Sequence, residues 1–204
     1  MEADRSSHLD LAYLALQSEH WSEAAEEARR ALAQAESARE DVEAALARFI
    51  LGTALASPED AAPGMREEAR AHLAGALPGL ERAGEPDLAG QAWALLGGLS
   101  LLAAREGRDG ESLVEAGSCY RRAVEAFAGG DDPVGRCGAL HNLGLCQAAR
   151  SEEPGLDEAD RAGLLDEALA CFHDALELEV ECGLSGLARD TEHERETAQA
   201  YRDA

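Results

Sequence analysis

Four times along this chain a leucine followed by a small residue is succeeded, on a later segment, by a trio of positions spaced i, i+4, i+7 with alanine at both ends. The leucine pairs are Leu11-Ala12, Leu51-Gly52, Leu96-Gly97 and Leu143-Gly144. The trios are Ala24/Ala28/Ala31, Ala69/Leu73/Ala76, Ala116/Tyr120/Ala123 and Ala168/Phe172/Ala175. That spacing puts each trio on one face of a helix. Ala24 to Leu51, Ala69 to Leu96 and Ala116 to Leu143 are each 27 residues apart, so register is kept from one unit to the next. A repeat of this kind restricts the chain to stacked helical pairs, because no single pair can bury its apolar face alone.

Within a unit the leucine-to-alanine distance grows instead: 13 from Leu11 to Ala24, 18 from Leu51 to Ala69, 20 from Leu96 to Ala116 and 25 from Leu143 to Ala168. The added residues fall at 57–64, 105–112 and 151–160, rich in Gly, Pro and acidic side chains, and are expected to be loops. Turns between units begin at Ser37, Arg82 and Gly129 and place Asp or Pro at the start of the next helix. Aromatics make up only 4% of the chain against 46% hydrophobic residues, which also favours close helix packing over a β-rich core.

The pattern resembles the tetratricopeptide repeat: Trp93, Leu96 and Gly97 with Ala116, Tyr120 and Ala123 match its signature, and residues 164–178 match its second-helix half. Adding 13 and 27 gives a unit of 40, similar to the longer-helix subclass found in kinesin light chains and bacterial peptide-binding regulators. The resemblance implies an all-α fold, a right-handed solenoid of four helix pairs at about 5–36, 41–81, 86–128 and 133–181, forming one domain over 1–204. Continuing the register past Ala168 reaches the polar segment after Leu184, expected to be a capping helix at about 185–203. Its inner stripe would be Leu184, Leu187, Ala188, Thr191, Ala198 and Tyr201.

In that family the glycine of the Leu-Gly pair lies where two helices meet most closely. Gly52, Gly97 and Gly144 are therefore expected to be packing residues, with Leu73, Tyr120 and Phe172 filling the gaps. The adjacent Gly98 is expected on the groove floor. The resemblance places the concave lining at Ser6, Leu9, Tyr13 and Leu16, then Leu46, Phe49, Thr53 and Ala56. It continues with Gln91, Ala94, Gly98 and Leu101, and ends with Gly138, His141, Leu145 and Ala148. None is charged in a chain that is 29% charged, where about five of the sixteen would be by composition. An apolar groove with a few polar groups suits a helix or apolar peptide of a partner protein. Chaperone-binding relatives clamp a carboxylate with Lys and Arg; no such clamp is expected here, since Arg48 and Arg136 miss the lining positions.

The 41 Asp and Glu outnumber 18 basic residues, all arginine, and the net charge of −23 repels nucleic acid and anionic membranes. A basic flank on the partner is favoured. No signal peptide and no unbroken apolar run of about 18 residues stands out, so a cytoplasmic protein is expected. The five cysteines, Cys119, Cys137, Cys146, Cys171 and Cys182, show no paired spacing and are expected to be reduced thiols. Cys137, His141 and Cys146 are a thin basis for a metal site, so no metal or cofactor is expected. Glu23, Glu26 and Glu27 are expected on a solvated convex face, with no buried carboxylate pair for acid–base work. No catalytic motif appears, and the chain reads as a non-catalytic adaptor; a small acidic chaperone holding an aggregation-prone partner is the alternative. A third possibility is an assembly subunit using its convex face or its ends, with Trp21 as a contact only if exposed; Trp21 is rather expected to pack the first helix pair, ahead of Ala24.

Overall fold

The computed structural model describes residues 7–57, 63–107 and 110–203. Among the described residues there are nine helices: α1 (His8–Gln17), α2 (Trp21–Ala38), α3 (Asp41–Ala56), α4 (Pro63–Ala83), α5 (Pro86–Gly107), α6 (Gly110–Phe127), α7 (Pro133–Ser151), α8 (Glu158–Glu181) and α9 (Ser185–Arg202). They pack sequentially in antiparallel pairs, as a helical repeat array requires.

Helix starts follow local chemistry. Ser7 and Asp10 close a capping box on α1, with Asp10 N–H donating to Ser7 Oγ and Ser7 N–H donating to Asp10 Oδ2. Asp132 caps α7 ahead of Pro133 at its first turn, and Asp157 caps α8. Four of the turns place one left-handed residue two positions before the next helix: Glu19, Arg39, Gly84 and Gly183. Glycine adopts that conformation freely, whereas Glu19 and Arg39 do so against a Cβ.

The chain forms two compact units, Met1–Leu96 and Gly97–Ala204, and the division falls inside α5. In the first unit α1 packs on α2 and α3, and α3 packs on α2 and α4. In the second, α7 packs on α6 and α8, while α9 lies on α8 and touches α7. Every trio residue is buried. A Cβ on Gly52 would stand 2.7 Å from Leu73 Cγ, one on Gly97 3.0 Å from the Tyr120 ring, and one on Gly144 2.6 Å from Phe172. Each such glycine therefore lets its own trio centre seat against the helix backbone.

α5 has a mean hydropathy of 1.2 over 18 residues, long and apolar enough by composition to cross a membrane, although its sequence is not an unbroken apolar run. Ala89, Ala92, Leu96, Leu99 and Ala104 of this helix are buried within the protein.

Several expectations are corrected. α5 continues through Arg105 to Gly107 and α6 begins at Gly110, so the loop expected at 105–112 is mostly helix, extended by residues whose propensity suffices once the neighbours pack. Of the segment 57–64, residues 58–62 lie outside the described residues. Glu27 is not on a solvated face: its side chain is only 13% exposed, because Oε2 takes His8 Nδ1 at 2.6 Å and Oε1 takes Arg30 at 2.6 Å. Tyr201 is 60% exposed, so the inner stripe of α9 ends at Ala198.

Candidate functional site

Only two residues of α9 are buried, Thr191 and Ala198, and they do different work. Ala198 joins Leu165, Ala168 and Phe172 of α8 in an apolar cluster, with Leu145 and Ala148 of α7 packed against it. Thr191 makes a polar contact about two turns further back. His141 Nδ1 lies 2.9 Å from Thr191 Oγ1, and Thr191 Oγ1 donates to Glu179 Oε1 at 2.9 Å. Glu179 and Thr191 are both fully buried. The His141 ring also meets Phe172 edge-on, with centroids 5.9 Å apart.

The second unit also holds a cleft of about 900 Å³. α5 contributes Leu101, Ala104 and Arg105, and α6 contributes Gly110 and Leu113. α7 adds Leu145, Ala148 and Ala149, followed by Glu152, Glu153 and Pro154 of the turn, while α8 adds Leu165. The far wall is α9, through Glu194, Thr197, Ala198 and Tyr201. A second cleft of about 590 Å³ shares Glu152, Leu165 and Tyr201 and is walled by Arg161 and Arg202. Concave apolar surface with a few polar groups is the usual setting of a binding site.

The carboxylates of the larger cleft differ from those elsewhere. Arg202 is taken by Asp166 at 2.7 Å, Arg195 by Glu192 at 2.6 Å, and Arg161 Nε donates to Ser151 O at 3.0 Å. Glu153 lies against the first residue of α6, where a Cβ on Gly110 would be 2.7 Å from its Oε1. That oxygen is shut from solvent and has no hydrogen-bond partner, as is Oε2 of Glu179. A buried polar atom left so costs about 1–3 kcal/mol.

The first unit holds a cleft of about 340 Å³ where Arg39, Arg48 and Arg82 meet Glu36, Glu40 and Asp41. Arg48 pairs with Glu36 at 2.6 Å and Arg82 with Asp41 at 3.2 Å, so its charge is largely neutralised from within.

Of the lining positions read from sequence, Leu101, Leu145 and Ala148 meet in the larger cleft. His141 is half-buried and turned to Thr191, while Gly98 faces the Tyr120 hydroxyl, 3.6 Å from where its Cβ would be. In the first unit Leu9, Leu16, Leu46, Thr53, Gln91 and Ala94 are half-buried, and Tyr13 is 51% exposed. Phe49 is buried at 5%, so its ring packs inside, and Thr53 Oγ1 donates to Phe49 O at 2.8 Å. None of these lines the arginine cleft of that unit. Ser6 lies outside the described residues. The sequence reading missed Leu113, Leu165, Glu152, Glu153, Glu194 and Tyr201. They come from second helices, a turn and the terminal helix, and no periodicity marks them as neighbours.

Among the described residues no three His, Cys, Asp or Glu side chains gather as a metal would require. Burial pushes the Cys146 thiol up to about 12, and those of Cys137 and Cys171 up to about 11. At neutral pH these three are protonated, apolar fillers rather than nucleophiles. No family model and no curated protein matches the chain.

Proposed function

We propose that this chain is a tetratricopeptide-type helical array acting as a non-catalytic interaction scaffold, which takes an apolar helix or peptide segment of a partner protein. The observation that carries the reading is the cleft of about 900 Å³ bedded on Leu101, Leu113, Leu145 and Leu165. Such a bed supplies anchoring pockets for the apolar face of a segment. Protonated, buried thiols and the absence of any motif for acyl or phosphoryl transfer support a binding role over a catalytic one. A reducing, cytoplasmic setting accords with five free cysteines.

The test is affinity capture from the native lysate with wild type and with Leu101→Glu/Leu145→Glu, after circular dichroism shows equal helicity. Loss of one dominant partner from the double variant supports the scaffold. Loss of many unrelated apolar clients assigns the cleft to a holding chaperone instead, and an unchanged set of captured proteins removes the cleft from the reading.

A further inference from the structure

We infer that the α5–α9 cleft selects its partner segment by a basic side chain, an arginine or lysine, seated among apolar anchors, with Glu152, Glu153 and Glu194 supplying the complementary charge. The inference rests on the scaffold reading and names the chemistry of its ligand.

Three carboxylates stand on the cleft wall against one guanidinium, Arg105. Of the other arginines around them, Arg202 pairs with Asp166 and Arg195 with Glu192, whereas Arg161 and Arg150 donate to the neutral Ser151 carbonyl and to Gln147 Oε1 at 2.9 Å. Glu192, one turn or less from Glu194 on α9, has its cation, whereas among the described residues no arginine or histidine forms an ion pair with Glu152, Glu153 or Glu194. Glu152 is exposed, while Glu153 and Glu194 are half-buried. Their charge borders a bed of leucines, where seating a segment displaces water and strengthens every charge pair that forms.

Glu153 sharpens the case. Its Oε1 is closed to solvent and lacks any partner, held against the start of α6. The positive end of that helix tolerates the carboxylate without satisfying the oxygen. A guanidinium or ammonium arriving beside Glu152 and Glu194 offsets the negative charge of the wall without needing contact with that oxygen, whereas a carboxylate or phosphate meets three like charges in a chain of net charge −23. The apolar bed and the acidic wall together require one occupant with both features: an amphipathic segment whose basic residue sits within, not beyond, its apolar face.

The experiment pans phage-displayed random peptides on the full chain, then synthesises the enriched sequence with its arginine kept or replaced by citrulline, or its lysine by norleucine. Binding is read by fluorescence anisotropy against wild type, Leu101→Glu, Glu153→Gln and Glu152→Gln/Glu194→Gln, each checked by circular dichroism. The double variant keeps the test open if Glu153→Gln fails to fold. The expected result is an enriched sequence with a basic residue among apolar ones, whose neutral counterpart binds wild type about tenfold more weakly and the glutamine variants nearly equally. Enriched peptides that lack a basic residue, lose binding with Leu101→Glu and ignore the glutamine variants overturn this inference and leave the scaffold reading standing. No enrichment, or binding indifferent to Leu101→Glu, overturns both.

Discussion

His141 and Thr191 are separated by fifty residues and meet with Nδ1 2.9 Å from Oγ1. Because the Thr191 hydroxyl proton is spent on Glu179 Oε1, the hydroxyl can only accept from His141, whose Nδ1 therefore carries a hydrogen. A terminal helix with only two buried residues is thus pinned to α7 and α8 by a polar contact among residues that do not themselves line the cleft it walls. Thr191→Val keeps the shape but strips both partners. It is expected to cost about 2–3 kcal/mol in urea unfolding and to raise amide exchange along α9 first, with Thr191→Ser largely restoring both.

The neighbouring glycines of α5 separate two effects that sequence alone runs together. Tyr120 is buried, so the ring facing Gly97 has nowhere to move. Gly97→Ala is expected to destabilise by about 1–3 kcal/mol. Gly98→Ala meets only the Tyr120 hydroxyl at ordinary contact distance and is expected to stabilise by about 0.5–1 kcal/mol through helix propensity. Denaturant midpoints of the two variants, measured side by side, check the opposite signs.

Burial raises the thiols of Cys137, Cys146 and Cys171 from 9.0 to between about 11 and about 12, and raises Tyr120 in the same direction. The folded protein holds these protons where the unfolded chain releases them. Their contribution to stability is complete below about pH 9 and is lost as pH rises from there through 11 to 12. Thermal midpoints of wild type should fall across that window, and Cys146→Ala, though less stable at neutral pH, should show a shallower fall. A steep loss that begins below pH 8 would refute the assignment.

Arg39 adopts φ 61° at the turn where the next unit uses Gly84 at φ 74°. A side chain in that conformation costs about 1–2 kcal/mol, offset in part by the extra freedom glycine has when unfolded. Arg39→Gly is therefore expected to stabilise by about 0.5–1 kcal/mol, read from urea unfolding. Arg39→Val, whose branched Cβ suits this region least, should destabilise.

The repeat made much of the fold legible. Trio spacing marked faces that are all buried, and the Leu-Gly pairs marked three close approaches to Leu73, Tyr120 and Phe172. Capping residues such as Asp132 before Pro133 announced where helices start. The candidate site was legible only in part: Leu101 and Leu145 belong to it, but Phe49 packs inside and His141 serves the protein's own last helix. Glu27 read as a surface charge because its neighbours on α2 are exposed, yet His8 and Arg30 close over it.

Sequence by itself determined the helices, their buried faces and the order in which they pack, because a 3.6-residue period and a missing Cβ act locally and recur in every unit. Only the tertiary structure decided that Glu152, Glu153 and Glu194 share a wall with Leu113, Leu165 and Tyr201, and that Thr191 answers His141. Those pairings depend on how far α5, α6, α7 and α9 stand apart, which is set by side-chain volumes packed between them and leaves no periodic trace in any one segment.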